Sequence, residues 1–377
     1  MRALVLGCGQ MGREAVKDLH HYAAVDEIVV GTRHPERVEE FIASLDHSGP
    51  RVTQARVDAN SGPELAALMR GADVVVNCAG PNYRYEVIVA RAAIETRVNL
   101  VDLNDEYATT QEMFTLDADA RRAGVTVILG LGGSPGVNNI FVRAAANQLD
   151  AVEEIHTAWA MSALDPGGPA LAAHLLCSLA QRALTFQDGR MVDVESFVDG
   201  RETIDFPAPV GALDTWHVGH PEPLMLSRSF PEAKTITNKA TFNPPEVNGV
   251  IRSLGARVRE LGGPVSGERR SIDAMESAAA EFLCRCKGVN HVPAEAALQV
   301  MVQGRKKGRL VKIFFSSAAM LAPATAIPAS IGAMMLLHGS ITAKGVLSPE
   351  QCVDPTDFIY EIITRRNVAK LNGWVED

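Results

Sequence analysis

The chain opens on a short apolar run, Arg2-Ala3-Leu4-Val5-Leu6, which gives way to Gly7-Cys8-Gly9-Gln10-Met11-Gly12. Ala15, Val16 and Leu19 then recur at helical spacing within Arg13 to Tyr22, so the pattern predicts a strand, a glycine loop and a helix. The alternation continues. Strands are expected at Glu27 to Gly31, Val52 to Val57, Asp73 to Asn77, Asn99 to Leu103 and Val125 to Gly130. Helices are expected between them at Pro35 to Leu45, Pro63 to Met69, Tyr85 to Thr96 and Thr110 to Ala123. Runs such as Val74-Val75-Val76 and Val127-Ile128-Leu129 are apolar throughout, as strands buried on both faces must be. The alternation therefore predicts an α/β fold, a Rossmann doubly wound parallel sheet.

After about Asn138 the pattern changes. A helix is expected over Asn139 to Gln148, followed by less regular segments with strand-like pieces at Glu154 to Ala160 and Lys234 to Phe242. Val300 to Gln303 and Leu310 to Ser316 are expected to form a hairpin across Gly304-Arg305-Lys306-Lys307-Gly308, with the basic residues as its solvated tip. The chain should end in helices at Ala324 to His338 and Phe358 to Arg366. This second part reads as a mixed α+β domain.

Length and charge narrow the function. A chain of 377 residues suits two domains. A net charge of −9 argues against a nucleic-acid partner, which needs a basic face. The apolar stretch Ala318 to Leu337 contains Pro323 and Pro328 and many small residues, so a buried helix is expected there and no membrane role. The opening strand leaves no room for a signal peptide, and a cytoplasmic location is expected. Six cysteines show no paired C-x-x-C spacing, so they are expected to be reduced thiols with no metal.

The candidate chemistry starts at Gly7, Gly9 and Gly12. In a G-x-G-x-x-G loop the first glycine permits the tight turn, the second lets a pyrophosphate approach, and the third lets helix and strand pack closely. Gln10 and Met11 then begin the helix, whose free N–H groups favour phosphate. At the end of the second strand an NAD site usually carries Asp or Glu, whereas this chain has Thr32-Arg33. Those residues suit the 2′-phosphate of NADP, with NAD as the alternative cofactor. Asp58 is expected near the adenine edge. Asn77, Ala79 and Gly80, Asp102, and the loop Gly132-Gly133-Ser134-Pro135-Gly136 stand at the carboxyl ends of later strands, where ligands of open α/β sheets bind. In the second part Trp216-His217-Val218-Gly219-His220, Arg228 and Lys239 form the densest polar segment. Arg228 is a candidate for a substrate carboxylate, and His217, Lys239 or Asp102 for proton exchange.

These residues resemble the saccharopine dehydrogenase-like oxidoreductases, and most closely their lysine 6-dehydrogenase branch. The resemblance rests on Val5 to Gly12, Ala72 to Asn77, Val101-Asp102-Leu103, Ser134-Pro135-Gly136 with Asn139, Leu226-Ser227-Arg228-Ser229-Phe230-Pro231, and the tail from Ile341 to Gln351. It implies a Rossmann domain formed by residues 1–138 and 323–377, with an inserted substrate-binding and dimerisation domain at 139–322. It also implies a homodimer acting on a small amino-acid or imine substrate at its C–N bond, with Asn139 and Arg228 contacting that substrate. Two other readings compete. One is reduction of a carboxynorspermidine-type imine in polyamine synthesis. The other is a non-catalytic NADP-binding sensor or scaffold. Because Thr32-Arg33 replaces a carboxylate, the protein should bind NADPH more tightly than NADH. Arg33→Ala should weaken NADPH binding by roughly tenfold to a hundredfold, the value of one charge-assisted hydrogen bond. Titration of both cofactors against both proteins measures this, and equal affinities in the unaltered protein would refute it.

Overall fold

A computed structural model describes residues 1–46, 48–165, 167–180, 183–260, 269–365 and 370–376. They form two compact units, one of Met1–Val137 with Ala322–Arg365, the other of Asn138–Leu321 with Arg366–Asp377.

In the first unit, β1 (Arg2–Leu6), β2 (Glu27–Thr32), β3 (Arg51–Arg56), β4 (Val74–Asn77), β5 (Asn99–Asp102) and β6 (Thr126–Ile128) join the strand Gly345–Leu347. The sheet runs Gly345–Leu347, β6, β5, β4, β1, β2, β3, and every pairing is parallel. This is the doubly wound fold that the alternation predicts. The order reverses between β1 and β4, so the loops after these two strands flank the switch point. Central strands bury every residue of Val74-Val75-Val76, while β3 at the edge is largely exposed.

Two expected helices differ. Pro35 to Leu45 is a turn of 3-10 helix, Pro35–Arg37, and then Glu39–Ala43. Thr110 to Ala123 divides into Tyr107–Phe114 and Asp117–Ala123. Asp117 begins the second piece and accepts the Val346 N–H at 2.9 Å and the Arg121 guanidinium at 2.8 Å, so the break places an acceptor for the returning strand.

The chain returns through the helix Leu321–Leu337, which is apolar all round and buried over most of its length. Among the described residues no helix is long and apolar enough to cross a membrane. The last helix, Pro355–Thr364, leads to Arg365, whose guanidinium meets Asp18 of the first helix at 3.1 Å. Both side chains are almost wholly buried, and the Ser330 hydroxyl also donates to Asp18. Burial raises the Asp18 carboxyl above its ordinary value, and Arg365 offsets only part of that shift. The expected helix end at Arg366 lies outside the described residues.

The second unit is a mixed sheet. Its strands are β7 (Ala151–Ser162), β8 (Ala183–Gln187), β9 (Arg190–Val194), β10 (Glu202–Phe206), β11 (Gly211–His217), β12 (Thr235–Asn243), β13 (Ala296–Lys306) and β14 (Arg309–Ala319), closed by Lys370–Glu376. The order is β10, β11, β12, β7, β13, β14 and Lys370–Glu376, with the β8–β9 hairpin attached to β12. Residues 370–376 therefore pair with β14, whereas the expected first domain ran over 323–377. Trp374 stacks on Phe314 at 4.8 Å there. The hairpin of β13 and β14 is longer than expected. Only Lys307 and Gly308, both at positive φ, form its tip, as a two-residue turn requires. Arg305 lies in β13 and pairs with Glu153 at 2.7 Å. Helices Pro169–Ala180, Glu246–Glu260 and Arg269–Cys286 pack on one another beside the sheet.

Removing one partner of a buried ion pair leaves a buried uncompensated charge, which costs about 3–5 kcal/mol. Arg365→Met should therefore lower the melting temperature sharply at neutral pH. Asp18→Asn should cost less, because its amide still accepts from Ser330. Thermal melts of both variants test this, and an unchanged Arg365→Met melt would show that the pair does not hold the returning helix.

Candidate cofactor and substrate sites

The first unit builds a dinucleotide cradle from backbone. Gly7 lies at φ +81°, and a Cβ there would come within 2.9 Å of the Ala79 backbone. A Cβ on Gly12 would lie 2.0 Å from the Gly7 carbonyl oxygen. Those two glycines are required by the fold itself. Gly9 is different: it is exposed, and a Cβ there would meet nothing within 4 Å. Among the described residues no contact requires glycine at this position, and the close approach of a ligand would. The helix Gln10–Tyr22 that follows has no side-chain cap and no acid in its first turn, so its N-terminus suits a phosphate. Cys8, within the loop, is held as a thiol by burial, which pushes its pKa up to about 11.

Thr32 ends β2, and its hydroxyl accepts the His34 N–H at 3.3 Å. Arg33 beside it is exposed. Asp58, at the end of β3, accepts the Asn60 N–H at 3.0 Å and the Asn60 side-chain amide at 2.8 Å. Those bonds, then the charges of Arg33 and Arg84, hold its carboxyl below the ordinary range. Arg84 also donates to Asn60 at 3.1 Å, which adds a second arginine near Arg33 that the sequence reading did not single out. The donor set therefore fits NADP: an open glycine, an uncapped helix and two arginines at the adenosine end.

At the carboxyl ends of β4 and β5, Asn77 and Asp102 stand opposite each other in the sheet, and Asn77 is bonded to a third residue, Glu86. Asn77 donates to Glu86 at 3.1 Å and accepts the Ala79 N–H at 3.2 Å. Asp102 accepts the N–H groups of Asn104 and Gly130, each at 2.8 Å. Glu86 and Asp102 are both buried, each with one carboxyl oxygen that has no hydrogen-bond partner among the described residues, and burial raises both carboxyls. Asp102 thus holds backbone. Glu86 carried a signal in the sequence, because it shares a helical face with Val89, Ala90 and Ala93. Gly80 is exposed after β4. Pro135 and Gly136 are buried, in a loop tied by the Gly132–Gly136 bridge.

In the second unit, His217 and Lys239 are cross-strand partners in β11 and β12. Lys239 is paired with Glu202. The His217 ring fills the space a Cβ on Gly200 would need, and burial followed by the Lys239 charge lowers its pKa to about 4. Asn139 is buried in the helix Val137–Ala146, and Arg228 is exposed in the last turn of the helix Glu222–Ser229. A further cluster lies a few residues away. His220 Nδ1 meets Glu222 at 3.0 Å, both side chains buried, and the His174 ring stands 6.0 Å from that of His220. Trp159 lies 5.5 Å from His220, and its indole N–H has no acceptor among the described residues.

Because a Cβ on Gly9 meets no atom among the described residues, Gly9→Ala should change stability by no more than about 0.5–1 kcal/mol and weaken NADPH binding. Gly12→Ala should destabilise the fold itself. Melting and NADPH titration of the two variants separate these effects, and a Gly9→Ala protein that binds NADPH normally would refute the cradle.

Comparison with known proteins agrees with this geometry. Residues 3–128 match the family model described as the saccharopine dehydrogenase NADP binding domain. A carboxyaminopropylagmatine dehydrogenase from Synechocystis is 22% identical over 407 aligned positions, covering 96% of this chain and 95% of that protein. A saccharopine dehydrogenase (NADP(+), L-glutamate-forming) from Pyricularia oryzae is 25% identical over 155 positions, 41% of this chain and 31% of the other. The structure of apo saccharopine dehydrogenase (L-Glu forming) from Saccharomyces cerevisiae shares the fold, with a TM-score of 0.70 at 15% identity and full coverage of both chains. Residues 3–128 are thus similar to a saccharopine dehydrogenase NADP binding domain, and the chain as a whole shares the fold of a saccharopine dehydrogenase.

Proposed function

We propose that this protein is an NADP-dependent dehydrogenase or reductase acting at the C–N bond of an amino acid or of its imine conjugate. The observation that carries the reading is the cradle at Gly7 to Gly12, with Arg33 at the end of β2, on a domain of the saccharopine dehydrogenase type. Bound NADP(H) supplies the acceptor or donor of the hydride. In the oxidative direction a secondary amine loses a hydride from carbon and a proton from nitrogen, giving an imine, NADPH and a proton.

Three residues of the second unit are candidates for the group that takes that proton. His217 and Lys239 are poor candidates, one held neutral with a pKa of about 4 and the other tied to Glu202. His220 suits the role better. Glu222 accepts from its Nδ1 and so fixes the ring, leaving Nε2 as the basic atom. The indole N–H of Trp159 beside it offers a donor to a substrate oxygen. Arg228 remains the candidate for a carboxylate, which its planar fork fits. The carboxyaminopropyl and glutamate parts in the relatives' names favour a substrate that carries one.

The test follows NADPH formation or loss with secondary-amine conjugates of amino acids, and with keto acids or aldehydes mixed with amines. Turnover with one of these is expected. His220→Ala should lower kcat by about 10²–10⁴-fold, the usual contribution of a general acid or base. His217→Ala should leave kcat within a few-fold. Arg228→Lys should raise KM more than it lowers kcat. Tight NADPH binding without turnover across the panel would favour the sensor reading.

A further inference from the structure

We propose that His174 and His220 of the second unit bind a borderline-soft divalent ion, zinc or nickel, and that the bound ion shuts off the base at His220. Metal binding itself is independent of the reaction proposed above; only its effect on turnover rests on that reading.

Three elements of the second unit meet at this point. His174 lies in the helix Pro169–Ala180, His220 precedes the helix Glu222–Ser229, and Trp159 lies in β7. All three residues are more than nine-tenths buried. The two imidazole rings stand edge to face with centroids 6.0 Å apart, and a ring nitrogen of one lies within 4.8 Å of a ring nitrogen of the other. Zinc bound at about 2.0–2.1 Å sets two tetrahedral nitrogen ligands roughly 3.4 Å apart, so a small rotation of the rings closes the pair on an ion. Imidazole suits zinc, copper and nickel, whereas magnesium and calcium take oxygen.

Each imidazole also has an outer partner of the kind that metal ligands have. A ligating histidine presents one nitrogen to the ion and is oriented through the other by a hydrogen-bonding oxygen, most effectively a carboxylate. His220 Nδ1 lies 3.0 Å from Glu222, which is itself buried, so Nε2 is the ligand atom and the carboxylate raises its basicity toward a metal. The Ser178 hydroxyl, one helical turn beyond His174, lies 3.4 Å from His174 Nε2. The partners stand two and four residues from their histidines, so local chain orients both rings before any ion arrives. Beside them the Trp159 indole N–H is buried without an acceptor among the described residues, its ring centroid 5.5 Å from that of His220. Two histidines leave an ion with open positions, and a water or anion held on one of them would give that N–H its acceptor. An ion on Nε2 occupies the atom that receives the amine proton in the proposed reaction. Metal and proton exclude each other there.

Protein without a histidine tag is titrated with zinc chloride, and separately with nickel chloride, by calorimetry at about pH 7.5, above the ordinary range of histidine. One equivalent of zinc should bind per chain, and His174→Gln and His220→Gln should each remove it. Glu222→Gln keeps the shape of the outer partner without its charge, and should weaken zinc binding by about 10–100-fold. Melts without metal show that each variant is folded. Ser178→Ala, a milder change that should also weaken binding, probes the His174 side if His174→Gln does not fold. Zinc should raise the melting temperature of the unaltered protein and not that of His174→Gln. It should also abolish NADPH-linked turnover, reversibly with a chelator, whereas whatever turnover His174→Gln retains should resist zinc. No binding to the unaltered protein, or binding that persists in both histidine variants, would overturn the site. One equivalent held through both histidines with undiminished turnover would overturn the effect on the base and with it the role of His220 in the reaction. Absence of turnover in any condition would count against the reaction alone, because calorimetry decides the site without it.

Discussion

A parallel sheet has to be covered on both faces, and most of the first unit follows from that constraint. Its central strands are apolar throughout, so helices from one local crossover series do not suffice. The remaining cover is the helix Leu321–Leu337, made of small and apolar residues and delivered after the whole second unit has been built. Its neighbours are fitted to it closely: a Cβ on Gly332 would lie 2.3 Å from a Leu131 methyl. The polar ends of this return are satisfied one by one. Thr126 donates to the Ala343 carbonyl at 2.6 Å, Asp117 receives Val346, and Asp18 receives Arg365. Each bond joins residues far apart in sequence, so the first unit cannot be complete until the chain has come back.

How much of this was legible follows from the range of the interactions. The order of strands and helices in the first unit is written in local periodicity, and the glycine loop in three residues. The division of Thr110 to Ala123 was not, because Asp117 answers to a strand more than two hundred residues later. In the second unit the long strands β7, β13 and β14 mix half-buried and buried positions and were legible only in their middles. The final strand was hidden for a similar reason. Its exposed Trp374 and Val375 form no alternating stripe, and its place is set by pairing with β14.

Polar residues in the cradle show the same division between local and distant causes. Thr32 and Arg33 could be read as an NADP signature because their meaning comes from their position at the tip of β2. Asp102 also stands at a strand tip, yet its role cannot be read from that position alone. One of its oxygens accepts two backbone N–H groups, from Asn104 and Gly130, which favour its charge in a buried site. The resulting network exposes no reactive group and orders backbone instead. An acid at a strand's carboxyl end is therefore a catalytic candidate only when its second oxygen is open.

The two histidines of the Trp216 to His220 segment are separated by the same reasoning. Sequence alone gives no ground for preferring His217 or His220, since they lie three residues apart in one polar string. Packing distinguishes them. His217 ends β11 with its ring against Gly200 and the Lys239 charge across the strand pair, two influences that both disfavour a proton. His220 lies past the strand end, where the chain turns into the helix Glu222–Ser229. That turn brings a carboxylate from two residues ahead against Nδ1. A carboxylate on one ring nitrogen fixes the tautomer and leaves the other nitrogen directed and basic, a requirement that a histidine buried among apolar and cationic neighbours does not meet. His220 and Glu222 flank Pro221 at the start of that helix, so the ring is oriented by a residue two positions away and needs no long-range contact.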